Sequence, residues 1–248
     1  MFPIRDLNPA GITPYVTYAL IAANVAIFLL WQPQGHAVWR TPDQVAQAEF
    51  LLAHAVLPCE VTSGEPLTFR ELSLDVCDGA GQQIFPDKLV RLTPVTSMFL
   101  HGGLFHLITN MWVLLIFGNN IEEAFGRIKY LAMYLTAGLI ATLAFIAMRP
   151  EGTTPLVGAS GAIAGVLGAY LLLHPRAQVL ALIGFVLLFP LPAWVFLGGW
   201  FALQFWNADP SVAWEAHVFG FIVGLVITLL ARPTGGRRSA GAAAPWRH

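Results

Sequence analysis

The chain has 248 residues, of which 56% are hydrophobic and only 11% charged, and its formal net charge is −1 at pH 7. A soluble globular domain carries about 25% charged residues, so this composition excludes a water-surrounded enzyme, a disordered chain and a collagen-like one. It also lacks the basic excess needed to grip nucleic acid, which leaves an integral membrane protein surrounded by the lipid bilayer.

A charge near the bilayer centre costs at least about 2.5–3.5 kcal/mol, so the gaps between charged residues mark the spans. Six charge-free stretches occur, at 7–39, 92–121, 130–148, 152–175, 177–208 and 216–231. Helices of roughly 17–25 residues fit them. Six transmembrane helices are therefore expected near 14–31, 98–120, 128–148, 158–174, 184–206 and 212–231.

In chain order, a short segment, 1–13, precedes the first helix. The apolar run Tyr15–Trp31 with the small-x-small sequence Gly35-His36-Ala37 also resembles a signal peptide. Against that, its single preceding Arg is offset by Asp6 and the run is longer than a usual signal core, so a retained helix is expected. Residues 32–97 then form a long polar loop with 12 of the 27 charged residues and both cysteines, Cys59 and Cys77. On an oxidising side these could pair; two free thiols are the alternative. Within the loop, Val45–Val56 has enough apolar residues for a short helix against the membrane surface. The five later helices follow at short intervals, and 233–248 has the composition of a disordered tail. With the N-terminus inside, eight Lys and Arg residues fall inside and five outside. The positive-inside bias therefore puts both termini in the cytoplasm of a multi-pass protein of the plasma or inner membrane.

Polar groups inside the spans need partners because water is absent, and they are the functional candidates. His101, His106 and Asn110 occur in HGGLFHLITN, Ser160 in GASGAIAG and His217 in AHVFGFIVG. His106 and Asn110, four apart, share a helix face. Packing is the competing explanation, since Gly161–Gly165 and Gly220–Gly224 are small-xxx-small patterns. As a set, however, these residues supply a nucleophile, a base and two hydrogen-bond donors. Zinc proteolysis would want HExxH, and here the histidines are spaced H-x₄-H with no carboxylate between. Aspartyl proteolysis needs two carboxylates, and the spans hold no Asp. The GxSxG elbow fails at Ala162. A Ser-His dyad without metal or cofactor survives. Glu215, two residues before His217, is expected to act on that imidazole through its charge, from a different helical face.

HGGLFHLITN, GNNIEEAFG, GASGAIAG and AHVFGFIVG, in that order and on separate spans, resemble the rhomboid family of intramembrane serine proteases. The resemblance runs from about 98 to 231. It implies an all-α membrane protein, a six-transmembrane-helix bundle over 14–232 with the long outer loop between helices 1 and 2. It implies a nucleophile at Ser160, a general base at His217, oxyanion-stabilising side chains at His106 and Asn110, and a further histidine, His101, at the mouth of the site. Glu122 would order the turn after the second helix. The implied substrates are single-pass transmembrane proteins; the alternative is a non-proteolytic relative that escorts such clients. The Trp-Arg pair that many relatives carry before the first histidine is absent, those positions reading Leu92-Thr93, and Trp39-Arg40 lies much earlier.

Overall fold

The computed structural model describes residues 2–33, 43–184, 187–206, 212–231 and 233. The Gly35-His36-Ala37 sequence, Trp39-Arg40 and all of the tail beyond Pro233 lie outside these residues. The protein is mostly helical. A first strand, β1 (Phe2–Asp6), is followed by α1 (Tyr15–Leu30), then by α2 (Gln44–His54), α3 (Pro58–Ser63) and α4 (Phe69–Leu74). Single helical turns over 90–99 lead into α5 (Leu104–Phe125), α6 (Arg127–Met148) and α7 (Ser160–Leu173). The strands β2 (Gln178–Ile183) and β3 (Leu187–Pro192) precede α8 (Ala193–Gln204) and α9 (Trp214–Ala231).

Among the described residues, α5, α6 and α9 are long and apolar enough to cross a membrane. The other apolar helices, α1, α7 and α8, have 16, 14 and 12 residues. The expected helix over 184–206 is shorter than its apolar run, and the reason is local. Pro190 and Pro192 lack the N–H that a helix interior needs and hold the preceding residues extended, so helix begins only at Ala193. The residues before it pair as β3 with β2, and β2 pairs with β1, in an antiparallel sheet of order β1-β2-β3. An all-α description is therefore corrected by one small sheet, and the N-terminal segment is structured rather than free.

The first turn of α1 has no cap of its own, because Pro14 offers no side-chain acceptor. Glu122, fully buried near the end of α5, takes that role. Its carboxylate accepts from Val16 N–H (3.0 Å), Thr17 N–H (2.8 Å) and Thr17 Oγ1 (2.9 Å). A carboxylate at a helix N-terminus meets both the unpaired donors and the positive end of the helix dipole. Glu122 thus fastens α1 to α5, besides lying one turn before Gly126 and the bend into α6.

The central contact is between α7 and α9. A Cβ added at Gly220 would overlap the Gly161 carbonyl, one at Gly224 the Gly165 carbonyl, and one at Gly168 the Phe221 carbonyl. The two backbones therefore touch directly, and the small-residue spacing seen in the sequence is packing as well as context for chemistry. Residues 43–97 carry their own small core around Leu57, Cys59 and Leu67, closed by a Cys59–Cys77 disulfide. A buried Lys88–Glu60 ion pair (2.6 Å) lies beside it, and the segment around Val45–Val56 is helical as expected. Val56 bridges to Leu156, and Cys59 N–H donates to Gly152 O (3.0 Å), so this unit grips the segment leading to Ser160.

Two outcomes follow. Gly220→Val should lower the thermal midpoint in detergent by several degrees, as overpacking costs about 1–3 kcal/mol. Gly198→Ala, whose added methyl meets nothing, should leave it nearly unchanged. The second outcome concerns Asp6, whose carboxylate accepts from Tyr170 Oη (2.7 Å), Asn120 Nδ2 (2.8 Å) and Asn8 N–H (2.9 Å). Burial nevertheless raises its carboxyl from 3.8 to about 6, the Tyr170 and Asn8 bonds opposing the rise. The folded state then holds a proton that the unfolded chain has released, so this contribution to stability is present below about pH 4 and is lost as pH rises through about 6. The stability difference between wild type and Asp6→Asn, measured by denaturation from pH 4 to 7, should change across that window.

Candidate active site

Ser160 is the first residue of α7, and His217 lies in the first turn of α9. The backbone contact between these helices brings Ser160 Oγ to 3.0 Å from His217 Nε2. The turn before Ser160 is built on Gly158, whose φ of +116° suits glycine alone. Gly158 N–H donates to Ser97 O (3.0 Å), and Ser97 Oγ accepts from Val56 N–H (2.6 Å), so one buried serine clamps the approach to Ser160 from two sides. Ala159 supplies no side-chain cap to α7, so the first N–H groups of that helix remain available beside Ser160.

His106 and Asn110 project from one face of α5 toward the same place. The His106 ring lies over Gly158, where an added Cβ would sit 2.9 Å from Cε1 and 3.0 Å from Nε2. Asn110 Nδ2 donates to His106 O (2.8 Å) within the helix. Ser160, His217, His106 and Asn110 all line one cavity of about 830 Å³. His101 is placed differently. It is fully buried behind His106, with ring centroids 5.3 Å apart, and is not among the residues lining the cavity. Its backbone is held by Gln32, whose Oε1 accepts from His101 N–H (3.0 Å) and whose Nε2 donates to His101 O (2.8 Å).

Glu215 does not turn toward the imidazole. Its Oε1 accepts from Arg149 Nε and Nη2, both at 2.7 Å, and its side chain is 5% exposed. The charge expected to act on His217 is neutralised instead by the end of α6. The partner of His217 Nδ1 is Gln204 Oε1 at 2.7 Å. Gln204, Arg149 and Ser97 are the residues that sequence reasoning missed. Gln204 had a visible signal, being an isolated amide in the apolar run 193–206, but it belongs to no motif within its own span.

Taken together, the site offers a hydroxyl in hydrogen-bond reach of an imidazole, in a cavity lined with further donors. That is the equipment for acyl transfer. Fold and site define a class of helical membrane proteins with an interior Ser-His pair. A family model described as the Rhomboid domain matches residues 87–234, more than half of the chain and all of α5 to α9. The chain belongs to the rhomboid family. It is 27% identical over 225 residues to Rhomboid protein 1, mitochondrial, of Saccharomyces cerevisiae, covering 85% of this chain and 51% of the yeast protein. It is 36% identical over 93 residues to RHOMBOID-like protein 5 of Arabidopsis thaliana, covering 38% of this chain and 30% of that one. To Rhomboid protease GluP of Bacillus subtilis it is 38% identical over 92 residues, covering 36% of this chain and 18% of GluP. The matches thus span about half or less of the length of these relatives.

The Arg149–Glu215 pair carries an asymmetric prediction. Arg149 is one-third exposed and can be hydrated when left alone, whereas Glu215 would be stranded as a buried charge. Arg149→Met should therefore lower the thermal midpoint in detergent more than Glu215→Gln does.

Proposed function

We propose that this chain is an intramembrane serine endopeptidase that hydrolyses peptide bonds in or near the transmembrane segments of single-pass membrane proteins. The observation that carries this reading is the 3.0 Å approach of Ser160 Oγ to His217 Nε2 within a cavity of an apolar helix bundle. Kinship with a relative named as a protease, GluP, supports it.

In this mechanism His217 Nε2 takes the hydroxyl proton as Ser160 Oγ bonds to the substrate carbonyl carbon. The resulting oxyanion is met by the Ser160 N–H, by His106, and by the Asn110 amide hydrogen not engaged by His106 O. The imidazolium returns its proton to the leaving amine, which departs with its half of the peptide and leaves an acyl-serine. Water, deprotonated by His217, then attacks the ester and frees the acid. His101 acts here by backing the His106 ring and touches no reacting atom.

The same reading gives six spans, both termini in the cytoplasm and a plasma or inner membrane location. The 14-residue α7 rises about 21 Å, against a hydrocarbon core of about 30 Å. With Arg176 at the cytoplasmic surface, Ser160 then sits below the outer one, where a substrate helix must unwind to reach it. Purified protein incubated with a labelled transmembrane substrate should cleave it, and Ser160→Ala or His217→Ala should each reduce the rate by more than about 10³-fold. Equal cleavage by wild type and Ser160→Ala would refute the reading.

A further inference from the structure

Both ring nitrogens of His217 are engaged, and the partner on each side decides what the other can do. Nε2 faces Ser160 Oγ at 3.0 Å, and Nδ1 faces Gln204 Oε1 at 2.7 Å. Gln204 is the last residue of α8 and is buried. The orientation of its amide is fixed independently of the histidine. Gln204 Nε2 lies 3.0 Å from Trp200 O, one turn back on the same helix. A carbonyl oxygen can only accept, so the amide nitrogen must take that side and the amide oxygen must face His217.

An acceptor facing Nδ1 requires a hydrogen there, and a neutral imidazole carries only one. Nε2 is then left with a lone pair directed at the Ser160 hydroxyl, the arrangement in which it can remove a proton. With the opposite tautomer Nε2 would donate to Ser160 Oγ and could accept nothing from it. After proton transfer both nitrogens carry hydrogens, and Gln204 Oε1 continues to accept from Nδ1–H. An amide performs this duty without burying a charge in an apolar bundle, where an isolated carboxylate is costly. Glu215, the nearest carboxylate in sequence, is turned away and paired with Arg149.

We propose that Gln204 is the positioning residue for the base, holding His217 in the tautomer in which Nε2 accepts the Ser160 proton. The inference rests on the reading of Ser160 and His217 as nucleophile and base. It makes the site a relay of three side chains, Gln204–His217–Ser160, drawn from α8, α9 and α7. The anchor of the relay is a backbone carbonyl of α8, so the tautomer is set by how that helix packs against α9, where the Trp200 and His217 rings lie 5.8 Å apart.

The test has two arms. In the first, ¹⁵N-histidine-labelled protein in detergent micelles is observed by NMR, with His217→Ala assigning the resonances. In Ser160→Ala, which removes the serine's influence and requires no activity, His217 should carry its proton on Nδ1. Adding Gln204→Leu should move it toward Nε2. In the second arm, Gln204→Leu should lower kcat about tenfold or more, the worth of one well-made hydrogen bond, with KM unchanged. Gln204→Glu, which keeps an oxygen facing Nδ1, should recover most of that loss. An Nε2–H tautomer in Ser160→Ala, a wild-type kcat in Gln204→Leu, or a Gln204→Glu as slow as Gln204→Leu would overturn the proposal. If wild type and Ser160→Ala cleave alike, the protease reading fails, and the tautomer measurement still decides what Gln204 does. A Gln204→Leu protein that does not fold leaves the Ser160→Ala spectrum to decide.

Discussion

The structure depends on one contact, the backbone-to-backbone seam between α7 and α9. Helices in lipid gain little from burying apolar side chains, because the surrounding tails are equally apolar. Close approach must come from removing side chains, and Gly168, Gly220 and Gly224 each face a carbonyl of the opposing helix where a Cβ would not fit. The seam sets the spacing at which a serine starting one helix meets a histidine in the first turn of the other. Larger residues along it would separate Ser160 from His217 as surely as mutating either one.

Polar satisfaction does the rest of the work. Three buried carboxylates find partners on other elements: Glu122 caps α1 across the bundle, Asp6 collects donors from α5 and α7, and Glu215 is matched by Arg149. These bonds tie together helices that side-chain burial alone would hold loosely. The unit at 43–97 applies the same rule from the other side, its disulfide and buried Lys88–Glu60 pair stiffening a unit whose Ser97 and Val56 clamp the turn before Ser160. Among the described residues, none of this unit lines the cavity that holds Ser160 and His217.

Much of this was legible in the chain, for identifiable reasons. Charge gaps located the apolar helices because an intramembrane charge is expensive, and the residues bearing polar atoms in those gaps stood out as candidates. Ser160, His217, His106 and Asn110 do line one cavity. The extent of the helix before Gln204 was not legible from apolar composition, because hydropathy does not register that Pro190 and Pro192 withhold hydrogen-bond donors. His101 was legible as a candidate but not in its position, since it precedes α5 and no helical period says which way its side chain points.

The sequence by itself determined the solvent of this protein, its family and the chemical inventory of its site, because all three follow from residue types and their spacing along single helices. Only the tertiary structure decided the partnerships. Whether Glu215 or Gln204 addresses His217 depends on the rotation and depth at which α6, α8 and α9 meet. A residue two positions away in sequence pairs with Arg149, while one 13 positions away meets the His217 ring. Side-chain direction is fixed within a helix by its own period, but which groups face one another across the bundle is fixed by packing between helices.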